Sequence, residues 1–209
     1  MTETSLPQWL RWAREIQALS QTGLTYHNTA YDAQRYTRLL QIAAEIVAEH
    51  ARLPEEPTFE NFRVQPGYAT PKIDVRGAIV KDGKILLVQE RVDQCWCMPG
   101  GWADVGEAPS TMVIREVWEE SGLEVVPEKL IGVYDANRGG IPIEFYHAYK
   151  LVFLCRITSG EPRPSDETLA ADFFAFDDLP PLSSARTGPH HLADIQHHLH
   201  DPALPTIFD

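Results

Sequence analysis

Cysteine is scarce and odd in number: Cys95, Cys97 and Cys155 cannot make a disulfide framework, so reduced thiols are expected. Cys95 and Cys97 have no second pair to complete the spacing of a thiolate metal site, and packing accounts for them better than a soft metal does. No apolar run approaches the ~20 residues that a membrane-spanning helix needs. Near the start, Glu3 stands where a targeting leader would carry basic residues, and no apolar stretch follows. A cytoplasmic protein with no membrane partner is the expectation. Positive charge is also short, with 18 Lys and Arg against 30 Asp and Glu and a formal net charge of −12. That balance argues against unassisted binding to nucleic acid or to an anionic surface. Any meeting with a phosphate then needs a cation as mediator.

What is present fits a chain of 209 residues with room for one substantial domain or two small ones. Leu6, Trp9, Leu10, Ala13, Ile16 and Leu19 recur at helical spacing, with Gly23 offering a stop. Tyr36, Leu39, Leu40, Ala43, Ile46 and Val47 repeat the pattern. Two helices alone enclose little apolar surface, so the pair should dock on the rest of the chain, on a second subunit, or on both. A homodimer contact that also helps to shape the substrate pocket is the favoured expectation. Pro54 to Pro71 suits an ordered connector, which puts the boundary between an N-terminal helical domain, 1–66, and a second domain, 67–209. Beyond it, Val75–Val80 and Lys84–Val88 read as strands joined at Asp82-Gly83, a hairpin signal. Leu130–Tyr134, Tyr146–Ile157 and Phe173–Phe176 are further strand candidates, and a late helix is predicted over Pro189–His200. This order suggests an α/β fold with a mixed sheet covered by helices on two faces.

The most informative feature is spaced: Gly101, five residues, Glu107, seven residues, then Arg115-Glu116-Val117-Trp118-Glu119-Glu120-Ser121-Gly122-Leu123. Chance odds of such a string are on the order of one in ten million. From Pro109 to Ser121 the chain has no internal Gly or Pro, and Gly122 suits a helix end, so one helix of about three turns is predicted. Met112, Val113, Val117 and Trp118 form its inward stripe. Glu116, Glu119 and Glu120 stand at i, i+3 and i+4 and share one face, with Arg115 in reach of Glu119. Three glutamates on a helix are most often a solvated face. The preceding loop, Met98 to Glu107 with three glycines, shifts the balance, because its backbone can come close beside the carboxylates. Two carboxylates about 4 Å apart repel by roughly 4 kcal/mol at an effective dielectric of 20. A divalent cation relieves that, and all-oxygen ligation favours Mg²⁺, with Mn²⁺ able to substitute.

The string resembles the signature of the Nudix hydrolases, matched at every specified position. The resemblance implies the family's α/β/α sandwich and hydrolysis of a nucleoside diphosphate linked to another moiety. It implies Glu116, Glu119 and Glu120 as metal ligands, Arg115 as the residue orienting a glutamate, and Glu107 in support. Glu167, ahead of the strand-like Asp172 to Phe176, is the candidate for the general base or extra metal ligand that the resemblance implies outside the helix, with an ordinary loop charge as the alternative. The flanks, including Trp9 to Ala13, Gln21 to Tyr26 and Tyr68 to Arg76, resemble a bacterial subgroup with an N-terminal helical domain, whose members are called ADP-ribose pyrophosphatases or act on CDP-choline.

Other residues invite two readings. Trp102 is a candidate to stack on a base, or packs under its loop. Arg91 and Arg138 are candidate phosphate contacts, although structural ion pairs explain most such arginines. His190, His191, His197, His198 and His200 suggest a transition-metal site less well than they suggest an amphipathic helix with surface histidines. The expected activity is a Mg²⁺-dependent pyrophosphohydrolase, with CDP-choline, giving CMP and phosphocholine, ahead of ADP-ribose. A catalytically inactive nucleotide-binding regulator is the rival of another class. The complete set of metal glutamates argues against it.

Overall fold

The structure, a computed structural model, describes residues 7–51, 59, 68–104, 106–136 and 147–208. The chain divides into two compact units, Met1–Pro71 with Glu144–His147, and Lys72–Ile143 with Ala148–Asp209.

In the first unit α1 spans Gln8–Tyr26 and α2 spans Ala30–Ala51. Thr29 caps α2: its hydroxyl accepts the Asp32 N–H at 3.1 Å, satisfying a donor that the first helical turn leaves over. Small residues let the helices approach, and Ala13, Ala43 and Ala44 are fully buried with Leu40 and Val47 between them. Gly23 does not stop α1, contrary to the sequence expectation. The helix runs three residues further, and a Cβ at Gly23 would collide with the Tyr36 ring. Close packing of α2, rather than a turn, is what glycine serves there. Trp12, Leu19, Tyr26 and Tyr31 are left exposed. Most of the expected connector, 54–71, lies outside the described residues.

The second unit is built on β1 (Lys72–Lys81), β2 (Lys84–Glu90), β3 (Trp96–Cys97), β4 (Gly100–Trp102), β5 (Glu124–Asp135), β6 (Ala148–Ser159), β7 (Thr168–Ala175) and β8 (Ile207–Phe208). They form a mixed sheet in the order β3-β2-β1-β6-β5-β8, with β4 also on β1 and β7 also on β2. β1 runs parallel to β6 and β5 parallel to β8, and the other pairings are antiparallel. α3 (Pro109–Ser121) and α4 (Pro189–His200) cover the two faces. Alternation explains the layering: Val75, Ile79 and Leu86 pack with Met112, Val113 and Val117 of α3, while Ala78, Ile85 and Leu87 pack with Leu192 and Ile195 of α4. Buried on both faces, β1 and β2 read as nearly continuous apolar runs. The Asp82-Gly83 turn takes positive φ at both positions, 52° and 74°, as a tight hairpin requires.

The sequence reading placed β1, β2, α3 and α4 well and missed β3, β4 and β8, which are too short to show a period. β5 starts at Glu124 rather than Leu130, because register shifts around Pro127 and Leu130 let the strand carry a proline that breaks the pattern. β7 begins five residues before Phe173. Trp118 is 48% exposed, so the inward stripe of α3 is Met112, Val113 and Val117 without it. Among the described residues no helix is long and apolar enough to cross a membrane.

Candidate active site

Strand β1 organises the site. Its register sets Val75 opposite Gly101 and Arg76 opposite Gly100, so the glycine loop lies along the strand and beneath α3. Gly100 has φ 141°, and a Cβ there would strike the Val75 carbonyl oxygen. At Gly101 a Cβ would stand 3.0 Å from Glu116 Oε2. The loop thereby brings main chain against two carboxylates: the Gly100 N–H donates to Glu120 Oε2 at 2.8 Å, and Gly101 borders Glu116.

The three expected glutamates are treated differently. Glu120 is buried, 6% exposed, and burial pushes its carboxyl up to about 8 despite the Arg76 charge and the Gly100 N–H. Burial also raises Glu116, against the pull of Arg115 and with the charges of Glu119 and Glu167 adding to the effect. Glu119 lies further out, its side chain 42% exposed. Arg115 ties the outer set together. It donates to Glu116 and Glu119 at 2.9 Å each, to Glu107 at 2.8 Å and to Asp104 at 3.0 Å. Its hydrogen bond to Glu107, backed by its charge, holds that carboxyl below the usual range. Asp104 escaped the sequence reading because a loop aspartate carries no pattern.

Glu167 sits in a tight loop just before β7. Its N–H donates to Ser165 Oγ at 3.1 Å, and the next residue, Thr168, is fully buried and donates its hydroxyl to the Glu120 carbonyl at 2.8 Å. The candidate base is thus fastened beside the C-terminal turn of α3. Arg91, expected to meet phosphate, turns to that same loop instead. Its Nε donates to the Asp166 carbonyl at 2.8 Å, and Nη2 donates to the Ser165 and Thr168 carbonyls at 3.0 and 3.4 Å. Trp102 is 43% exposed on β4, opposite Asp74. Arg138 lies outside the described residues.

Beside Asp104, two further groups are not legible in the sequence. Glu90 closes β2, accepts the Cys97 thiol at 3.2 Å and pairs with Arg186 Nε at 3.4 Å, and its charge acts on Glu120. Asp74, Arg76 and Lys150 form a buried charge cluster under the loop. Register sets Asp74 opposite Lys150, and Asp74 accepts from both Lys150 Nζ and Arg76 Nε, the latter at 3.0 Å. Arg76 Nη1 also donates to the Met98 carbonyl at 3.1 Å. Burial would raise the Asp74 carboxyl, but the two cations outweigh it and hold it below the usual range. The sequence signal was a pair of charges at alternate positions beside the apolar run Gly77–Val80.

Among the described residues the histidines do not gather into a group of three candidate metal ligands. His191 is buried, accepts the Gly188 N–H on Nδ1 at 3.0 Å and packs edge-on to Tyr134. Burial, helped by nearby positive charge from His190, Lys150 and Arg76, pulls it down to about 2, so it is neutral. His198 is buried too, correcting the expectation of a surface row. All three cysteines are free thiols.

Among the described residues no three acidic, histidine or cysteine side chains stand as a closed metal cage. The donor chemistry still fits a hard divalent ion. Every donor is oxygen, burial holds two of the carboxyls above their usual range, and the counter-charge at Glu116 and Glu119 comes from one guanidinium.

A mixed sheet between two helices, with a glycine loop threaded under a glutamate-bearing helix, is the architecture of a pyrophosphate-cleaving hydrolase. The chain belongs to the Nudix hydrolase family, enzymes that act on pyrophosphate bonds of nucleoside diphosphate-linked moieties and generally use a divalent metal. Residues 71–194 match the NUDIX domain. Residues 7–60 match the UDP-X-like N-terminal oligomerisation domain. A Bacillus subtilis (strain 168) protein provisionally named as an ADP-ribose pyrophosphatase is 38% identical over 202 residues, 97% of each chain. The crystal structure of an ADP-ribose pyrophosphatase from Streptococcus suis 89-1591 shares 38% identity with a TM-score of 0.61, covering 67% of this chain and all of its own. That of a UDP-X diphosphatase shares 30% identity with a TM-score of 0.63 and covers 100% of both chains.

Proposed function

We propose that this chain hydrolyses the pyrophosphate bond of a nucleoside diphosphate linked to another moiety, with ADP-ribose as the first substrate to test and CDP-choline after it. The names borne by its relatives support placing ADP-ribose ahead of CDP-choline, which the sequence alone put first. A UDP-linked substrate is the next member of the same class. The observation that carries the reading is the buried Glu120 carboxylate, bonded by the Gly100 N–H on the face of α3 that also presents Glu116.

In this reading Glu116, Glu119 and Glu120 hold Mg²⁺, with Mn²⁺ as a substitute. When bound, the ion neutralises the diphosphate charge and polarises the phosphorus under attack. The chain's own groups do the rest. Arg115 fixes the directions of Glu116 and Glu119, and Glu107 and Asp104 fix Arg115. Glu167 takes the proton from the attacking water, whose oxygen bonds to one phosphorus while the bridging oxygen leaves with the other. Trp102 offers an exposed ring on which a base can stack, and Arg138 is a candidate for phosphate.

The test is a panel of ADP-ribose, UDP-linked sugars and CDP-choline with and without Mg²⁺, with product analysis. AMP and ribose 5-phosphate from ADP-ribose, dependent on Mg²⁺, is the expected result. Tight nucleotide binding with no Mg²⁺-stimulated turnover would instead establish a regulator.

The oligomerisation match supports a homodimer built through the first unit, whose exposed Trp12, Leu19, Tyr26 and Tyr31 offer apolar surface. Light scattering at micromolar concentration should return twice the chain mass, and a monomer there removes the dimer. Free thiols support a reducing, cytoplasmic setting.

A further inference from the structure

Arg91 is the first residue after β2 and is exposed. A guanidinium carries five N–H donors in a fixed planar fork, and its Nε–Nη2 edge can hold two acceptors side by side. Here Nε and Nη2 are both given to main-chain carbonyls of one loop, at Asp166, Ser165 and Thr168. That loop is already wound on itself. Ser165 Oγ accepts the N–H groups of Glu167 and Thr168, both at 3.1 Å, and the Ser165 N–H donates to Thr168 Oγ1 at 3.2 Å. Thr168 then pins it to α3 through the Glu120 carbonyl. Asp166 and Glu167 are both exposed in this turn, and it is the charge of Glu167 that is felt at Glu116.

We propose that Arg91 is a positioning residue that clamps the 165–168 loop from the end of β2, so that Glu167 is held beside the C-terminal turn of α3. The physical need is clear. A short polar loop of this kind opens readily on its own, and a base displaced by about 1 Å can cost roughly a hundredfold in rate. Three carbonyls gathered on one planar fork are a constraint that Lys cannot reproduce, since its ammonium has no rigid donor geometry. The proposal rests on the role given to Glu167 in the proposed function.

The experiment uses the full chain with the best substrate of the panel, and pairs steady-state kinetics with amide hydrogen exchange, which needs no substrate. Arg91→Ala should speed exchange at Glu167 and Thr168 by about tenfold or more, and lower kcat by roughly ten- to a hundredfold with KM within about twofold. Arg91→Lys should recover only part of that rate. Ser165→Ala, which loosens the same loop from inside, should act in the same direction. In the Glu167→Gln background Arg91→Ala should cost nothing further. Unchanged exchange, a raised KM with kcat kept, or losses that multiply in the double variant would each overturn the proposal. If Glu167→Gln alone keeps full kcat, the base assignment falls and the proposal with it. If Glu167→Gln loses rate and Arg91→Ala does not, the clamp alone is wrong.

Discussion

Glu120→Gln should lower kcat about a thousandfold while leaving the melting temperature of the metal-free protein unchanged or higher. The two halves of this expectation have one cause. Glu120 is a carboxylate in a place that disfavours its charge, 6% exposed, raised to about 8 by burial, with the charges of Glu90 and Glu116 nearby. Such a group is kept for what it binds rather than for what it adds to stability. Glutamine has the same shape, and its amide oxygen can still accept the Gly100 N–H. The variant therefore keeps the loop and loses only the negative charge that a divalent ion requires. Thermal scans with and without Mg²⁺, beside kinetics, decide the matter. A kcat within tenfold of the parent would remove Glu120 from the metal site, and a melting temperature lower by more than about 10 °C would make it a structural residue instead.

The second large effect is on stability. Asp74→Asn should destabilise the protein by about 3 to 5 kcal/mol and lower its melting temperature by about 10 °C or more. Asp74 is the anion that Arg76 and Lys150 share, and Lys150 is only 1% exposed. Without it two buried cations face each other, and burial already pulls the Lys150 ammonium below the usual lysine range even with Asp74 in place. Lys150→Met should cost far less, because it leaves a matched Asp74–Arg76 pair and an apolar chain that β6 can pack. Adding Lys150→Met to Asp74→Asn should restore part of the loss. Equal losses in the two single variants, read by denaturant unfolding, would show that the cluster acts through packing and not through its charge balance.

The site was readable from sequence to the extent that it is local. Glu116, Glu119, Glu120 and Arg115 lie within two turns, so helical geometry alone sets them near one another, and Gly122 ends the helix where the string says it should, with φ 77°. The glycine loop was readable as a loop. Its hold on Glu120 was not, because that bond joins residues 20 positions apart. Glu90 looked like the polar end of an apolar strand until Cys97, Arg186 and Glu120 were placed around it. Arg91 reads from sequence as a candidate phosphate contact, with a structural role as the alternative. Its partners lie 74 to 77 residues downstream, and nothing in its neighbours announces them.

One spaced string determined the class of chemistry through its resemblance to the Nudix signature, and composition and charge added the need for a cation. An acidic chain with a complete set of helix glutamates can meet a diphosphate only through a cation, and that follows from side-chain types and a period of 3.6 residues. Tertiary structure alone decided which glutamate is buried, which arginine holds a loop and which lysine neutralises Asp74. Those outcomes depend on strand register and on the order of strands in the sheet. β1 and β6 pair in parallel across 76 residues of chain, setting Asp74 against Lys150, and β2 beside β7 brings Arg91 to the Glu167 loop. Burial and distance fix the charge state of a group, and both are properties of the assembled sheet rather than of any stretch of sequence.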